Sequence, residues 1–417
     1  MPLESPFGDA FPRVGWRWVR YSAVLVLGVA TVARLPALPT EVGTKRISVE
    51  RQVYLMGTVC QLRMDSCTRS DGLAQLESFV RVLESTEEEL STWREESFLS
   101  RINRQPPGVE VSLPSNLCSL LATLFQWHIR TEGAFDPAVG ALIEAWDLRH
   151  QGRIPSRKRL SRALRQTGLK SLRFNPEECT LARDRDVWID AGGFGKGEAL
   201  DRVFRLANRS SNPWMVNLGG QIMVGGGWLA RISHAPSTAE PESSPLTALP
   251  ALGLLDVVHG YASGGLRRNA LSARGFRLFA TTRCEESGPR RRGWKVTLAD
   301  PRYRHRPLLE LSLTSGSLAT SGGSEKDLVV DGSRLGHILD PRTGRPAPFT
   351  GSVTVWHERA LMADILSTAL YVMGPVKGLA WARKEGIAAC YLVPSEEAKD
   401  PAVQIRATPE FSVRFLK

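Results

Sequence analysis

The stretch that decides the fold runs from Trp188 to Val203 and reads Trp-Ile-Asp-Ala-Gly-Gly-Phe-Gly-Lys-Gly-Glu-Ala-Leu-Asp-Arg-Val. The apolar residues 187–189 predict a buried strand, and residues 196–207 have the apolar spacing of a helix. Glycines between them allow a sharp turn, and the helix start offers unpaired N–H groups to an anion. We therefore predict a phosphate-binding turn, although the spacing matches neither the Walker nor the dinucleotide pattern. The alternative is a plain strand-to-helix connection.

The composition favours a globular protein with a sizeable core. The chain has 417 residues, 42% of them hydrophobic, which is enough for one large domain or two closely joined ones. The formal charge is +11, but the basic residues are scattered and not interleaved with aromatic residues. We therefore expect no nucleic-acid partner. The six cysteines lack the spacing of a zinc site, and their disulfide pairing stays open.

The N-terminal segment, residues 1–45, has the pattern of an export signal. Arg13, Arg17 and Arg20 precede an uncharged apolar run over residues 21–33. The run is short for a spanning helix, so it predicts a secretory signal or a short uncleaved membrane tether; the alternative is a buried helix. We expect the protein to be exported, to a bacterial periplasm or the outer face of the inner membrane.

Residues 46–417 are predicted to form an α+β domain, because helical and strand patterns are mixed and do not alternate strictly. The predicted helices cover residues 73–90, 115–130, 138–146, 196–207, 361–372 and 376–385. The predicted strands cover residues 48–64, 187–190, 214–218, 294–298, 327–330, 352–356 and 387–393. Residues 231–290 are predicted to be an insertion, because their ends have linker composition; residues 252–282 contain enough apolar side chains to fold onto the body.

Six glycine-rich turns carry a polar group each. They lie at residues 56–58, 133–137, 190–197, 217–221, 320–323 and 337–344. One such turn is an ordinary loop, but six of them predict a cleft lined by backbone amides, as a large phosphorylated ligand requires.

The order of these turns resembles the ApbE flavin transferases, the FAD:protein FMN transferase family. The matching segments are residues 90–94 with 100–103, 133–140 followed by Trp146, 190–197, the Asn217 turn, 320–322, 337–346 and 363–370. The resemblance implies an ApbE-like fold and Mg²⁺-dependent transfer of FMN from FAD to a threonine or serine hydroxyl of a target protein, with release of AMP. A membrane redox subunit is one candidate target.

The resemblance also implies a magnesium site. Asp364 and Thr368 are spaced i, i+4, so that both oxygens lie on one face of a helix and can share one ion. By resemblance, the backbone carbonyl of Gly193 is the third ligand. The alternative for Asp364 is a helix cap or a first-turn charge.

Residues that contact FAD are likewise assigned by resemblance. They are Met56, Trp93, Ala134, Phe135, Asp136, Asp190, Lys196, Thr320, Ser321 and His337. Met56 and Trp93 would hold an aromatic ring, and Lys196 suits a phosphate. His337 and Asp364 are the candidate catalytic residues. His337 is chosen because its imidazole can take the proton from an acceptor hydroxyl, and Asp364 is chosen as a magnesium ligand.

Simpler roles stay open for some of these residues. Met56 and Trp93 could be core residues, Asp136 could form the turn before Pro137, and Asp190 could be a buried carboxylate at a strand end.

Two positions depart from the family pattern, and two rival functions remain. Gln221 stands where the family usually has an acidic residue, and Gly323 stands where it commonly has Asp or another polar residue. An FAD pyrophosphatase would pass FMN to water in place of a hydroxyl group. A non-catalytic FAD-binding or assembly protein would keep FAD intact.

Overall fold

The structure is a computed structural model that describes residues 46–207, 210–226, 293–303, 305–323, 327–330, 332–395 and 402–416. The predicted signal or anchor in residues 1–45 and the predicted insertion at residues 231–290 lie outside the described residues.

The described chain mixes helices and strands, so the predicted α+β class is confirmed. The strands are β1 (Ile47–Leu55), β2 (Thr58–Ser66), β3 (Glu110–Ser112), β4 (Leu172–Asn175), β5 (Thr180–Arg183), β6 (Trp214–Leu218), β7 (Gln221–Gly225), β8 (Trp294–Ala299), β9 (Pro307–Leu313), β10 (Gly316–Gly322), β11 (Leu328–Val330), β12 (Ser333–Leu335), β13 (Leu339–Asp340), β14 (Arg345–Pro346), β15 (Ser352–His357), β16 (Ala388–Pro394) and β17 (Val403–Ala407). The helices are α1 (Arg69–Leu90), α2 (Phe98–Arg104), α3 (Ser115–Arg130), α4 (Gly140–Ala145), α5 (Arg157–Arg165), α6 (Gly195–Ala207), α7 (Ala360–Lys384) and α8 (Pro409–Phe415).

An eight-stranded sheet forms the centre of the fold. Its order is β1-β2-β6-β7-β10-β15-β16-β17, and each neighbouring pair is antiparallel. Both faces are covered, as β16 shows. Ala389 and Tyr391 pack in the core cluster that contains α7, whereas Cys390 and Leu392 pack in the cluster that contains β8, β9 and α8. Alternate side chains of a strand point to opposite faces, so the sheet separates two layers of core.

Helices α6 and α7 approach each other closely at Gly197. A Cβ atom on Gly197 would lie 2.7 Å from the carbonyl oxygen of Ala360 and 2.8 Å from the Cβ of Asp364. The Gly197 amide, near the start of α6, donates to Asp364 Oδ2 at 2.9 Å. The first amides of a helix lack intrahelical partners, so a carboxylate from α7 satisfies one of them. Glycine is needed at this position for close approach.

Two strand predictions were wrong: one strand is in fact two, and the other segment is not part of a sheet. The predicted strand at residues 48–64 is the hairpin β1–β2, because Met56 (φ 52°) and Gly57 (φ 71°) both adopt the left-handed conformation of a tight hairpin turn. The predicted strand at 187–190 is an extended segment outside any sheet. Its backbone groups at Ile189 and Asp190 bond to the Asn103 side chain and to the Pro137 carbonyl instead of to a neighbouring strand.

The other predicted elements are confirmed, with ends that shift by a few residues. The helix predicted at 115–130 is α3, and the strand predicted at 214–218 is β6. The two helices predicted at 361–372 and 376–385 form α7, which is interrupted at Gly374 (φ 73°) just before Pro375. By length and composition α7 could cross a membrane, but half of its most apolar stretch is buried in the fold, which is also typical of a core helix.

One disulfide resolves part of the open cysteine pairing. Cys118, on α3, is bonded to Cys179, and their Cα atoms are 5.4 Å apart. Cys60 and Cys390 are free thiols, and burial raises the pKa of each thiol to about 12. Both therefore stay protonated and are poor nucleophiles at neutral pH.

We predict that Gly197→Ala destabilises the protein by about 1–3 kcal/mol, because the added methyl group must push α6 away from α7. Urea unfolding measures the change. Gly195→Ala is the control on the same helix, since its new Cβ would meet nothing closer than the Ala191 Cβ at 3.2 Å. Equal stability of Gly197→Ala and the parent protein would contradict the close packing.

Candidate functional site

A single large cavity brings the candidate site residues together. Its volume is about 1120 Å³, slightly above the range of about 300–1,000 Å³ that is usual for small-molecule and cofactor sites. Every candidate residue lines it: Met56, Trp93, Ala134, Phe135, Asp136, Asp190, Gly193, Lys196, Thr320, Ser321, His337, Asp364 and Thr368. The cavity is therefore large enough for a dinucleotide.

The glycine-rich stretch forms one wall of the cavity. Asp190 caps a short 3-10 turn, Ala191–Gly193, by accepting a hydrogen bond from the Gly192 amide at 2.9 Å. Helix α6 begins directly afterwards at Gly195. The predicted sharp turn into a helix is thus present, although it follows an extended segment and not a strand. The Asp190 side chain shapes the turn itself.

Arg149 fixes this wall to the opposite loop, and sequence reasoning did not identify it. Its guanidinium donates to Asp190 Oδ2 at 2.7 Å and to Thr92 Oγ1 at 2.7 Å. It also lies over the rings of Trp93 and Trp188, with 4.8 Å and 5.0 Å to the ring centroids. Contact between a guanidinium and an aromatic face is attractive. Arg149 therefore orders residues 91–94, which we call the Trp93 loop. No motif in the sequence indicates that Arg149 contacts Thr92 and Asp190.

Trp93 and Met56 differ in exposure but lie at the same cavity. Trp93 is 69% exposed, so the core role left open from sequence does not describe it. Met56 is partly buried in the hairpin turn of β1–β2. An exposed indole held by Arg149 offers a flat apolar surface to a ligand ring.

Asp364, Thr368 and Gly193 offer an oxygen set that fits a hard cation. Asp364 is 4% exposed, and Oδ2 accepts from the Gly197 amide. A Cβ built on Gly193 would lie 3.4 Å from Thr368 Oγ1, which places the Gly193 backbone beside that hydroxyl. Ser367 donates to the Asp364 carbonyl, and no described residue bonds to the Thr368 hydroxyl. The carboxylate, hydroxyl and backbone oxygens match the ligand preference of Mg²⁺.

Lys196 lies next to this oxygen set. Its ammonium is 3.6 Å from Asp364 Oδ1, and 29% of its side chain is exposed. Within the described ranges, no group of three or more His, Cys, Asp or Glu could hold a metal, so a cation here would rely on one carboxylate plus neutral oxygens. A bound phosphate would supply the remaining charge.

The loop with Ala134, Phe135 and Asp136 forms a second wall. Both oxygens of Asp136 hold the loop: Oδ1 accepts from the Ala138 amide at 2.8 Å, and both accept from the Leu169 amide at 3.2 Å. Burial raises the pKa of Asp136, and the nearby His128 and these amides partly offset that effect. These contacts show that the Asp136 side chain holds the turn at Pro137, which is the simpler role considered for it from the sequence.

Thr320 and Ser321 both line the cavity, but as consecutive residues of β10 their side chains lie on opposite faces of the sheet. Thr320 Oγ1 lies 2.8 Å from Thr354 Oγ1, and Ser321 Oγ lies 2.9 Å from Ser367 Oγ. The second pair joins β10 to helix α7, three residues after Asp364. The Ser321 hydroxyl thus connects the sheet to the helix that carries Asp364 and Thr368, whereas the Thr320 hydroxyl bonds within the sheet.

His337 is held by a carboxylate that sequence reasoning missed. Its Nδ1 is 2.8 Å from Asp327 Oδ1, and its backbone amide donates to the same oxygen at 3.1 Å. The pair spans ten residues without a known motif, so its signal in the sequence is weak.

The chain is similar to known proteins over most of its length. The sequence model of the ApbE family matches residues 56–274 and 280–391. These residues make up well over half of the chain. The chain belongs to the ApbE family. A curated FAD:protein FMN transferase from Treponema pallidum is 26% identical over 379 residues, covering 88% of this chain and 90% of the relative. The FAD:protein FMN transferase of Escherichia coli K12 is 25% identical over 323 residues, covering 75% of each protein.

Solved ApbE structures share the fold. The ApbE protein from Thermotoga maritima has a TM-score of 0.66 at 25% identity, covering 88% of this chain and 99% of that protein. The apo flavinyl transferase ApbE from Pseudomonas stutzeri has a TM-score of 0.64 at 23% identity, covering 89% and 98%. The expected ApbE-like fold is therefore confirmed.

The two departures from the ApbE pattern have structural counterparts. Gln221 is buried, and its amide donates to the Ala360 carbonyl at 2.9 Å, a bond that an ionised carboxylate at this position could not make. Gly323 leaves space beside Asp327, since an added Cβ would lie 2.9 Å from Asp327 Oδ2.

We predict that Arg149→Lys speeds backbone hydrogen exchange in residues 91–94 by at least about fivefold, because an ammonium cannot replace the forked contacts of the guanidinium. Exchange measured by mass spectrometry on peptides from this loop checks the change. The matched control is Arg153→Lys, four residues after Arg149 in the sequence, which alters a partly exposed pair with Asp147. Unchanged exchange in Arg149→Lys would show that Arg149 does not order the loop.

Proposed function

We propose that this ApbE family member transfers FMN from FAD to a threonine or serine hydroxyl of a target protein, in a reaction that requires Mg²⁺ and releases AMP. One observation carries the proposal: residues that are far apart in the sequence line one cavity, with a hard-cation oxygen set, a lysine and a histidine. The chain is similar to proteins named FAD:protein FMN transferase across most of their length, and this similarity supports transfer to a protein.

Asp364, Thr368 and the Gly193 carbonyl would hold the magnesium ion. When bound, the ion neutralises pyrophosphate charge and polarises the phosphorus. The helix contact fixes the carboxylate before any ligand arrives, because Asp364 Oδ2 already accepts from Gly197. The second oxygen, Oδ1, faces Lys196 and remains available to a cation.

The remaining walls would bind FAD by its parts. Trp93, steadied by Arg149, and Met56 would contact an aromatic ring of FAD. Lys196 would contact the pyrophosphate as a mobile positive charge. The Ala134–Asp136 loop, Asp190, Thr320 and Ser321 complete the cavity on the sides where the nucleotide would lie.

The reaction breaks the phosphoanhydride bond of FAD and forms a phosphoester bond to the acceptor. The acceptor oxygen attacks the phosphorus on the FMN side of the pyrophosphate, and the bond from that phosphorus to the bridging oxygen breaks. AMP leaves with that oxygen and its electron pair. His337 takes the proton from the acceptor hydroxyl, since its Nδ1 is engaged by Asp327 and its Nε2 remains for the substrate.

We place the enzyme outside the cytoplasm, tethered through residues 21–33 or released after cleavage of the signal. The positively charged N-terminus and apolar run support export. The Cys118–Cys179 disulfide supports it as well, because such bonds persist mainly in oxidising compartments. The target would then be an exported protein or the outward-facing part of a membrane redox subunit.

An acceptor assay tests the proposed function. The protein is incubated with FAD and MgCl₂, with a pool of peptides that carry one threonine each or with the same peptides carrying alanine. We expect flavin fluorescence on the threonine peptides and release of AMP. Free FMN without labelled peptide would indicate an FAD pyrophosphatase, and FAD that stays intact would indicate a non-catalytic binding protein.

We predict that Thr368→Val raises the Mg²⁺ concentration for half-maximal AMP release by about 10-fold, equivalent to about 1.4 kcal/mol of lost binding. Valine keeps the shape and removes the ligand oxygen, and no hydrogen bond within the described part of the chain is lost. Thr368→Ser keeps the hydroxyl and is the matched control. An unchanged Mg²⁺ dependence in Thr368→Val would remove Thr368 from the ligand set.

A further inference from the structure

The side chain of His337 is fixed by one buried carboxylate. Asp327 Oδ1 accepts from both Nδ1 and the backbone amide of His337, at 2.8 Å and 3.1 Å. Two bonds to one oxygen fix both the position of the residue and the rotation of its ring. The side chain of Asp327 is 8% exposed, and that of His337 is 23% exposed.

The carboxylate of Asp327 is itself held in place. Oδ2 accepts from Arg334 Nε at 2.7 Å, and the same guanidinium donates to the Gly323 carbonyl. Burial would raise the pKa of Asp327, but the hydrogen bonds from the His337 ring and amide, together with Arg334, outweigh it and lower the pKa. Asp327 is therefore ionised at neutral pH.

The Asp327 carboxylate occupies the space that a side chain at position 323 would need. A Cβ on Gly323 would lie 2.9 Å from Asp327 Oδ2, 3.0 Å from the Tyr371 hydroxyl and 3.3 Å from an Arg334 nitrogen. A residue larger than glycine at 323 would collide with the carboxylate. Gly323 and Asp327 therefore belong to one arrangement.

We propose that Asp327 is the positioning residue for His337, and that Gly323 is glycine because its missing side chain admits the Asp327 carboxylate. This inference rests on the proposed function, in which His337 takes the acceptor proton. It assigns a role to Asp327, which no sequence motif indicated, and it explains why this chain departs from the ApbE pattern at position 323.

The chemistry follows from the tautomer of His337. With Asp327 ionised, the proton of the neutral ring resides on Nδ1, where it donates to Oδ1, and the lone pair is on Nε2. Nε2 accepts the proton of the acceptor hydroxyl as the oxygen–phosphorus bond forms. The resulting imidazolium is stabilised by the adjacent carboxylate, and no proton passes to Asp327. Among the described residues, the other charged or titratable groups beside the pair are Arg334, from β12, and Tyr371, from α7.

The main test is Asp327→Ala. We expect kcat for AMP release to fall by about 10- to 100-fold with little change in KM for FAD, because a misoriented base loses part of the contribution of general base catalysis. The control is Asp147→Asn, which removes the carboxylate from the exposed pair with His150 and should leave kcat unchanged. Melting temperatures establish that each variant is folded.

A carboxylate swap separates positioning from stability. The double variant Gly323→Asp with Asp327→Ala returns a carboxylate to the same space from the other residue. We expect its kcat to exceed that of Asp327→Ala by about 10-fold, as a compensating pair in a double-mutant cycle. If Asp327→Ala does not fold, the double variant is compared with the parent protein directly, and loss of both activity and the His337 tautomer in a folded double variant overturns the claim that a side chain at 323 and Asp327 share one space.

Nitrogen NMR of ¹⁵N-histidine-labelled protein tests the inference without turnover. In mildly alkaline buffer, where a free imidazole is neutral, His337 in the parent should carry its proton on Nδ1, and Asp327→Ala should lose this preference. An unchanged tautomer, or kcat within twofold of the parent, overturns the proposal. If the parent shows no FAD turnover at all, the proposed function fails, while the NMR result still decides the role of Asp327.

Discussion

The contact on which the rest of the site depends is the hydrogen bond from the Gly197 amide to the Asp364 carboxylate. It joins the first turn of α6 to α7 at a point where the helices are too close to admit a methyl group on Gly197. Because of this contact, the helix that follows the glycine-rich turn and the helix with the proposed metal ligands have one fixed spacing. The Gly193 backbone then lies beside Thr368, and Lys196 lies beside Asp364. The fold thus holds the oxygens of the proposed cation ligands in place before a ligand binds, which lowers the entropic cost of binding.

The other walls are joined to this contact by polar links between distant segments. Arg149 connects the Trp93 loop to Asp190 at the start of the turn, and the Ser321–Ser367 pair connects the sheet to α7. Asp327 and Arg334 connect the His337 segment to the end of β10 at Gly323. The Ser321–Ser367 pair joins a strand to a helix of the core, whereas Arg149 and Asp327 join segments that lie outside the helices and strands to one another. We regard this as the reason why one cavity collects residues from most of the chain's length.

Much of the fold was predictable where a local pattern decides the structure. Helix α3 and strand β6 were predicted at their observed limits. The amphipathic spacing of α3 is a local signal, and the apolar run of β6 finds the partner strands β2 and β7. The strand expected at 187–190 failed, since whether an extended apolar segment pairs with a strand depends on which neighbours the fold supplies. The proposed ligands Asp364 and Thr368 were identifiable from helical spacing and family resemblance. Arg149 and Asp327 were not, because their partners lie 41 and ten residues away and the pairing exists in the folded protein alone.

The glycine-rich turn and α7 are proposed to form, together, a divalent-cation site at the pyrophosphate of FAD. The most direct test is a crystal structure of the protein grown with FAD and MnCl₂, with anomalous diffraction measured at the manganese absorption edge. We predict one strong anomalous peak within coordination distance of Asp364, Thr368 and the Gly193 carbonyl, with the FAD pyrophosphate beside it. FAD bound in the cavity with no anomalous peak at these three residues, or with the peak on other ligands, would contradict the account.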